Sequence, residues 1–418
     1  MPHPTSTIAF KPSVAGESVA REPHWIEQVK AMNLITTVLK SCAIVVHGLV
    51  LVTCVQNVPA PVEPTIPLVG SVNLDLATVT PSELLLLDIG VRIFETALEE
   101  ETNPGYGGLE FATIRENETQ YLPYVLRNTL IDANQWGAVR VLPQDDPSMD
   151  LLLSGTVLRS DGQELQIHIK VQDSSGREWL NKKYADLTLE EDFPISTRYT
   201  PGNRFEPESF TEPFQDLYNQ INNDLVAVRA QLSDHNLGDI ALVSQMAYAA
   251  DLSPDSFAHT LKTDANGYIS LVSLPANNDP MMARVQDMRV RHHLFIDTVD
   301  EYYQALYEDM QPSYVIWRRY SYDQIAQDEA ATREAYDISR YSSSSGYLTL
   351  IQRYDRFRWS KIYEVEFSEL ATGFNREIAP AILELNKQVH GLSGTMEEQY
   401  IQWRRILRQL FTLETGRP

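Results

Sequence analysis

Glu164-Leu165-Gln166-Ile167-His168-Ile169-Lys170-Val171-Gln172 alternates apolar and polar residues without a fault. Successive side chains of a strand point to opposite faces. Leu165, Ile167, Ile169 and Val171 are therefore expected to face a core, and Gln166, His168, Lys170 and Gln172 to face water. Asp150 to Arg159 precedes this run across Ser160-Asp161-Gly162, and Arg177 to Tyr184 comes after it across Ser174-Ser175-Gly176. Glycine-containing turns between such runs predict two hairpins, and so an antiparallel meander of three strands.

Upstream the period changes. Leu84 to Phe94 holds a buried strand, placed at Ile89 to Phe94, and a glycine-rich loop comes next at Asn103 to Gly108. Thr119 to Asn134 carries Leu122, Val125, Leu126, Leu130 and Ile131 on one helical face, and Trp136-Gly137 ends it. Ala138 to Leu142 is a short strand, stopped by Pro143 and the acidic turn Asp145-Asp146-Pro147. Strand, helix, strand and meander make a small α/β domain with a mixed sheet.

Val91/Phe94, Asp150/Gly155/Val157 and Asp173/Gly176 stand where the periplasmic domains of CsgG-like curli-secretion lipoproteins, TolB amino-terminal domains and LpoB carry their matching motifs. Over about 100 residues the chain resembles those domains. The resemblance implies a fold that makes protein contacts, with ring-like homo-oligomers common, and no catalytic signature. The membrane-spanning hairpins of a secretion channel are not evident.

Downstream the chain reads as helical. Phe214, Leu217, Ile221, Leu225, Val228 and Leu232 recur at helical spacing. Further helices are expected at Leu237 to Leu252, Pro254 to Leu261, Pro280 to Met310 and over Tyr354 to Leu413, with Pro380 as a kink or new start and Gly391 and Gly394 as a turn. Tyr268 to Leu274 reads as a strand. Tyr314-Val315-Ile316-Trp317-Arg318-Arg319 echoes Tyr400-Ile401-Gln402-Trp403-Arg404-Arg405, both placed near helix ends; duplication and coincidence both explain it. The fold class is α+β. The expected organisation is residues 1–53 as extension and signal, 54–79 as tether, 80–190 as α/β domain, 191–213 as linker and 214–418 as helical domain.

The beginning of the chain suggests an address. Ser41 to Val52 is apolar apart from His47, and it leads into Thr53-Cys54. Leu51-Val52-Thr53-Cys54 resembles a bacterial lipobox, with Met32 to Lys40 as a weakly basic start. The run holds ~15 residues against the ~20 of a membrane-spanning helix. An uncleaved anchor and a buried core helix are the other readings. Pro59, Pro61, Pro64 and Pro67 keep the next segment extended. By the resemblance, Cys54 carries lipid, and Val55 in place of Asp points to the outer membrane, facing the periplasm.

Composition agrees with a globular exported chain. Cys42 and Cys54 are the two cysteines, so a mature fold beginning at Cys54 has no disulfide and no cysteine metal site. Net charge is −23, and removing residues 1–53, which hold four basic and three acidic residues, leaves −24. That disfavours nucleic acid and favours basic partners.

Motifs for chemistry are scarce. There is no H-E-x-x-H, G-x-S-x-G, phosphate-binding loop or dinucleotide fingerprint. His292-His293 with Asp297 and Asp300 has metal-pair spacing but reads better as surface contacts. Asp264-Ala265-Asn266-Gly267 resembles the start of a calcium loop, yet Pro275 stands where its last ligand is needed. Asp145, Asp146 and Asp150 read as an acidic turn rather than paired carboxylates. Tyr354, Arg356, Phe357, Arg358 and Trp359 form a basic aromatic cluster suited to a partner or a glycan. No cofactor, metal or nucleic acid is expected. The expectation is a non-enzymatic, lipid-anchored accessory protein whose protein partner is an envelope complex. A glycan-binding lipoprotein and a carboxylate-based glycan hydrolase are the alternatives.

Overall fold

The polar-apolar alternation of 164–172 becomes an interior strand of a mixed sheet. The computed structural model describes residues 66–79, 81–97, 112–193, 212–276, 278–338, 382–385 and 388–416, with positions 358, 362, 365 and 367–372 between them. Residues 1–65, on which Cys54, the expected signal and most of the expected tether fall, lie outside the described residues. The described residues all belong to one unit, Ile66–Pro418.

The sheet is built from β1 (Ile89–Arg92), β2 (Glu95–Thr96), β3 (Val139–Leu142), β4 (Leu151–Ser160), β5 (Glu164–Asp173) and β6 (Glu178–Leu187). Its order is β3-β1-β4-β5-β6, with β2 beside β4. β1 runs parallel to both β3 and β4, and β4, β5 and β6 form the antiparallel meander. The α+β class and the mixed sheet are as read from sequence. Helix α1 (Ala112–Asp132) crosses from β2 back to β3. Leu165, Ile167, Ile169 and Val171 are fully buried, while Lys170 and Gln172 are exposed.

Two local details fix α1 on the sheet. Pro123 lies inside the helix and has no N–H, which frees the carbonyl of Thr119. The amide of Phe94 donates to that carbonyl at 2.9 Å, so the gap in the helix anchors the end of β1. The Phe94 ring covers Gly155 so closely that a Cβ there would lie 2.6 Å from it.

The remaining elements are α2 (Gln215–Arg229), α3 (Asp234–Leu252), α4 (Pro254–Phe257), the hairpin β7 (Leu261–Thr263) and β8 (Ile269–Leu271), α5 (Pro280–Ile338), the hairpin β9 (Ile382–Leu385) and β10 (Gln388–Gly391), and α6 (Met396–Thr415). Leu217, Ile221 and Leu225 of α2, Phe295, Tyr303 and Tyr314 of α5, and Tyr400 and Trp403 of α6 share one hydrophobic cluster with the sheet. The helices after 213 thus pack into the same core as the strands before 190. No helix among the described residues is long and apolar enough to cross a membrane.

Three features differ from the sequence reading. α5 does not stop at Met310 but runs through Pro312 to Ile338. A proline costs a helix ~3 kcal/mol, and burial of Met310, Tyr314, Val315, Ile316 and Trp317 around it outweighs that. The Tyr314–Arg319 segment therefore lies within a helix, not near its end. Finally, β9 and β10 pair antiparallel where a helix was expected. Ile382 and Val389 favour extended backbone, and Pro380 just upstream disfavours helix.

The echo has a shared role in packing. Tyr314 donates to buried Glu118 at 2.9 Å, and Tyr400 donates to buried Asp146 at 2.6 Å. Trp317 and Trp403 are both buried beside them.

β3 is an end strand, and its outward amide at Val141 donates to Asp300 Oδ1 of α5 at 2.7 Å. At the other end, Val69 donates to the carbonyl of Ala185 on β6.

Candidate functional site

The parallel strands begin with two aspartates that hold each other's backbones. Asp88 Oδ1 accepts from the Ala138 amide at 2.8 Å, and Asp150 Oδ2 accepts from the Asp88 amide at 2.9 Å. The Asp88 carbonyl accepts from the amides of Asp150 and Leu151. These bonds set the register of β1, β3 and β4 at their starts. Gly137 is required here, because a Cβ would collide with Asp88 Oδ1.

Helix α5 faces these strand starts across a cleft of about 530 Å³. One wall is Glu83, Leu86, Asp88, Gly137 and Asp150, Ala241 of α3 closes one side, and α5 supplies Gln286, Arg289, Val290, His293, Leu294 and Asp297. The i, i+4 spacing of Arg289, His293 and Asp297, and of Val290 and Leu294, puts two stripes of the helix on the cleft. Val290 and Leu294 are 53% and 62% exposed.

The polar groups differ in what they have left to offer. Asp150 Oδ1 accepts from Ser244 at 2.5 Å, so both its oxygens are engaged. Burial raises its pKa above the ordinary carboxylate value, against the pull of Ser244 and the Asp88 amide. Arg289 Nη2 donates to the Ser148 carbonyl at 2.9 Å, and its Nε has no partner. Burial pushes the His293 imidazole down to about 3, and Arg289 and Arg140 push the same way. His293 is therefore neutral at physiological pH, with Nε2 unpartnered. A neutral imidazole of this kind accepts or donates one hydrogen bond, but it is a poor proton carrier near pH 7.

Beneath the cleft, His292 Nε2 meets Asp146 Oδ2 at 2.7 Å, both side chains fully buried. Asp146 also accepts from the Ser148 amide and hydroxyl and from Tyr400. Burial would raise the Asp146 carboxyl, but the His292 charge and these donors hold it far below the carboxylate range.

The sequence-derived candidates separate accordingly. Asp150 lines the cleft, Asp146 is locked in the core, and exposed Asp145 lies 3.3 Å from Arg92. His293 and Asp297 share the cleft, but Asp297 accepts from Arg140 at 2.5 Å, and Asp300 accepts from Arg127 and the Val141 amide. No group of three or more metal-ligating side chains occurs among the described residues. Asp264 Oδ1 accepts from the amides of Asn266 and Tyr268, which makes it the turn of the β7–β8 hairpin. Arg358 is helical and exposed, whereas Tyr354, Arg356, Phe357 and Trp359 lie outside the described residues, as does Cys54. Sequence reading missed Asp88, Arg289 and Gly137. One signal for Asp88 was available: it is the lone charge inside the apolar run 84–94 before Arg92.

The chain matches no known protein family, no curated protein and no solved structure. Its class rests on its own geometry: an α+β protein with a mixed sheet and a half-apolar cleft where the parallel strands begin.

Proposed function

We propose that this chain is a lipid-anchored accessory protein of the bacterial periplasm, held to the outer membrane through Cys54 and docking onto a larger envelope complex. The lipobox-like run and the proline-spaced tether support the address. The observation that carries the docking role is the cleft. Its deep carboxylates are committed to backbone amides and Ser244, its imidazole is a weak base, and an exposed apolar stripe lies along one wall. Such a surface suits recognition better than proton transfer. The glycan-hydrolase alternative gains nothing from Asp146, which has no exposed surface and is surrounded by the Ser148 amide and hydroxyl, His292 and Tyr400.

The test is intact mass and amino-terminal mapping of protein from native membranes, with in situ crosslinking as the second step. A mature chain starting at acylated Cys54, crosslinked to envelope components and released from membranes by Cys54→Ala, is the expected result. An unprocessed, unacylated chain that crosslinks to nothing overturns the proposal.

A further inference from the structure

We infer that the cleft receives a basic, amphipathic segment of a protein partner, with its cations against Glu83 and Asp88 and its apolar side chains on Val290 and Leu294. This rests on the docking reading and gives the partner a chemistry.

The charge balance of the lining points to a cation. Glu83, Asp88, Asp150 and Asp297 face the cleft, against Arg289. Asp297 is paired with Arg140. If Arg289 is set against Asp150, which it influences electrostatically, Glu83 and Asp88 remain. Among the described residues no cation pairs with either. His293 adds no positive charge, and its unpartnered Nε2 sits on the same lining. The chain as a whole carries −23, so its long-range field draws cations in as well.

The apolar half is equally specific. Val290 and Leu294 are one helical turn apart, both more than half exposed, and both line the cleft with Leu86. A free cation or a polyamine would leave that stripe in water. A segment with cationic and apolar side chains covers both walls. A volume of about 530 Å³ takes a few side chains rather than a folded domain.

The experiment uses the full chain and three probes: an amphipathic peptide of leucine and lysine at helical spacing, its leucine–glutamate counterpart, and polylysine. Binding is read by fluorescence anisotropy. The leucine–lysine peptide is expected to bind at least tenfold more tightly than either other probe. Glu83→Lys and the double variant Val290→Ser/Leu294→Ser are each expected to weaken it at least tenfold, with thermal melting unchanged. Asp234→Asn, an acidic change on α3 outside the cleft lining, is the control and should leave affinity within twofold. Equal binding of the glutamate peptide, or full affinity in both cleft variants, overturns the inference. So does a wild-type dimer that Val290→Ser/Leu294→Ser dissolves, since a second copy would then be the occupant. Crosslinking in native membranes separates the two readings. An envelope complex that forms equally with the double variant keeps the accessory role and removes the cleft as its receptor. Failure of the wild type to form any complex counts against the accessory role itself, whatever the peptides do.

Discussion

His292 Nε2 and Asp146 Oδ2 lie 2.7 Å apart with no solvent on either side chain. The pair joins the turn after β3 to α5, and the Tyr400 hydroxyl adds α6 to the same carboxylate. His292 also stacks on Tyr248 of α3, with ring centroids 5.4 Å apart. Three elements thus meet on one buried anion, and α3 packs on the imidazole that pairs with it.

Removing one partner of such a pair leaves the other buried and unpaired, at a cost of ~3–5 kcal/mol. Asp146→Ala is expected to reduce stability in urea unfolding by that amount. Tyr400→Phe deletes one of the carboxylate's donors and should cost ~1–2 kcal/mol. Equal effects of the two changes would contradict the assignment of Asp146 as the hub.

A second buried charge cluster is built around Arg318. Its guanidinium bonds Glu118, Ser160, the Asp161 carbonyl and Tyr314, and lies 4.8 Å from the Phe214 ring centroid. Lys cannot reproduce that fork. Arg318→Met should cost ~3–5 kcal/mol by stranding Glu118, and adding Glu118→Leu should restore part of it. A strictly additive double variant, measured by denaturant unfolding, would show the pair to be uncoupled.

Glu212 gives the fold one pH-dependent contribution. Burial raises its carboxyl from 4.5 to about 7, against the Tyr121 hydrogen bond and the Arg318 charge, with Glu118 adding to the rise. A raised carboxyl stabilises the fold fully below its unfolded value, and the contribution is lost as pH climbs through the folded value. The Glu212 contribution should therefore fall between about pH 4.5 and 7. Asp146, held low, has the opposite sign: its contribution is present above its unfolded value of 3.8 and is lost as pH falls from there toward its folded value. His293, held down to about 3, opposes Glu212 on the acid side, because its contribution is lost as pH falls below its unfolded value of 6.5. Chemical denaturation of Glu212→Gln beside the wild type isolates the Glu212 window: the difference between the two should change between about pH 4.5 and 7 and stay constant outside it.

Gly155 tests the packing of Phe94. A Cβ at this position would lie 2.6 Å from the ring, and overpacking of this kind costs ~1–3 kcal/mol. Gly155→Ala is expected to lower the melting temperature, and Phe94→Leu in the same chain to recover part of the loss. No change in melting for Gly155→Ala would mean the ring swings aside freely.

The legible parts of the sequence were those whose signal is local. Leu165 to Val171 announced its strand because a period of two has no other use there. The turns at Gly162 and Gly176 came from residue type. Less was visible where distant contacts decide. Pro312 reads as a helix breaker, and distant packing, with Tyr314 against Tyr121 of α1 and Met310 and Trp317 buried on either side, carries α5 past it. The 382–391 hairpin competes with a helical reading of the same residues, and pairing resolves it. The cleft was hardest. Asp88 and Asp150 are 62 positions apart, and α5 is more than a hundred further on. Asp146 reads from sequence as part of an acidic turn, and nothing nearby in sequence says that His292 and Tyr400 will bury it.

The bond from the Val141 amide to Asp300 removes a free donor from the end of the sheet. An end strand with open amides invites another strand to join it, and strands that join can continue without limit. Here a carboxylate stands where the next strand's carbonyl would have to go. The guard acts against β3 growing into a fibre through added strands. Asp300→Ala would lift that guard, and slow thioflavin-positive association of an otherwise folded protein is the behaviour it would release.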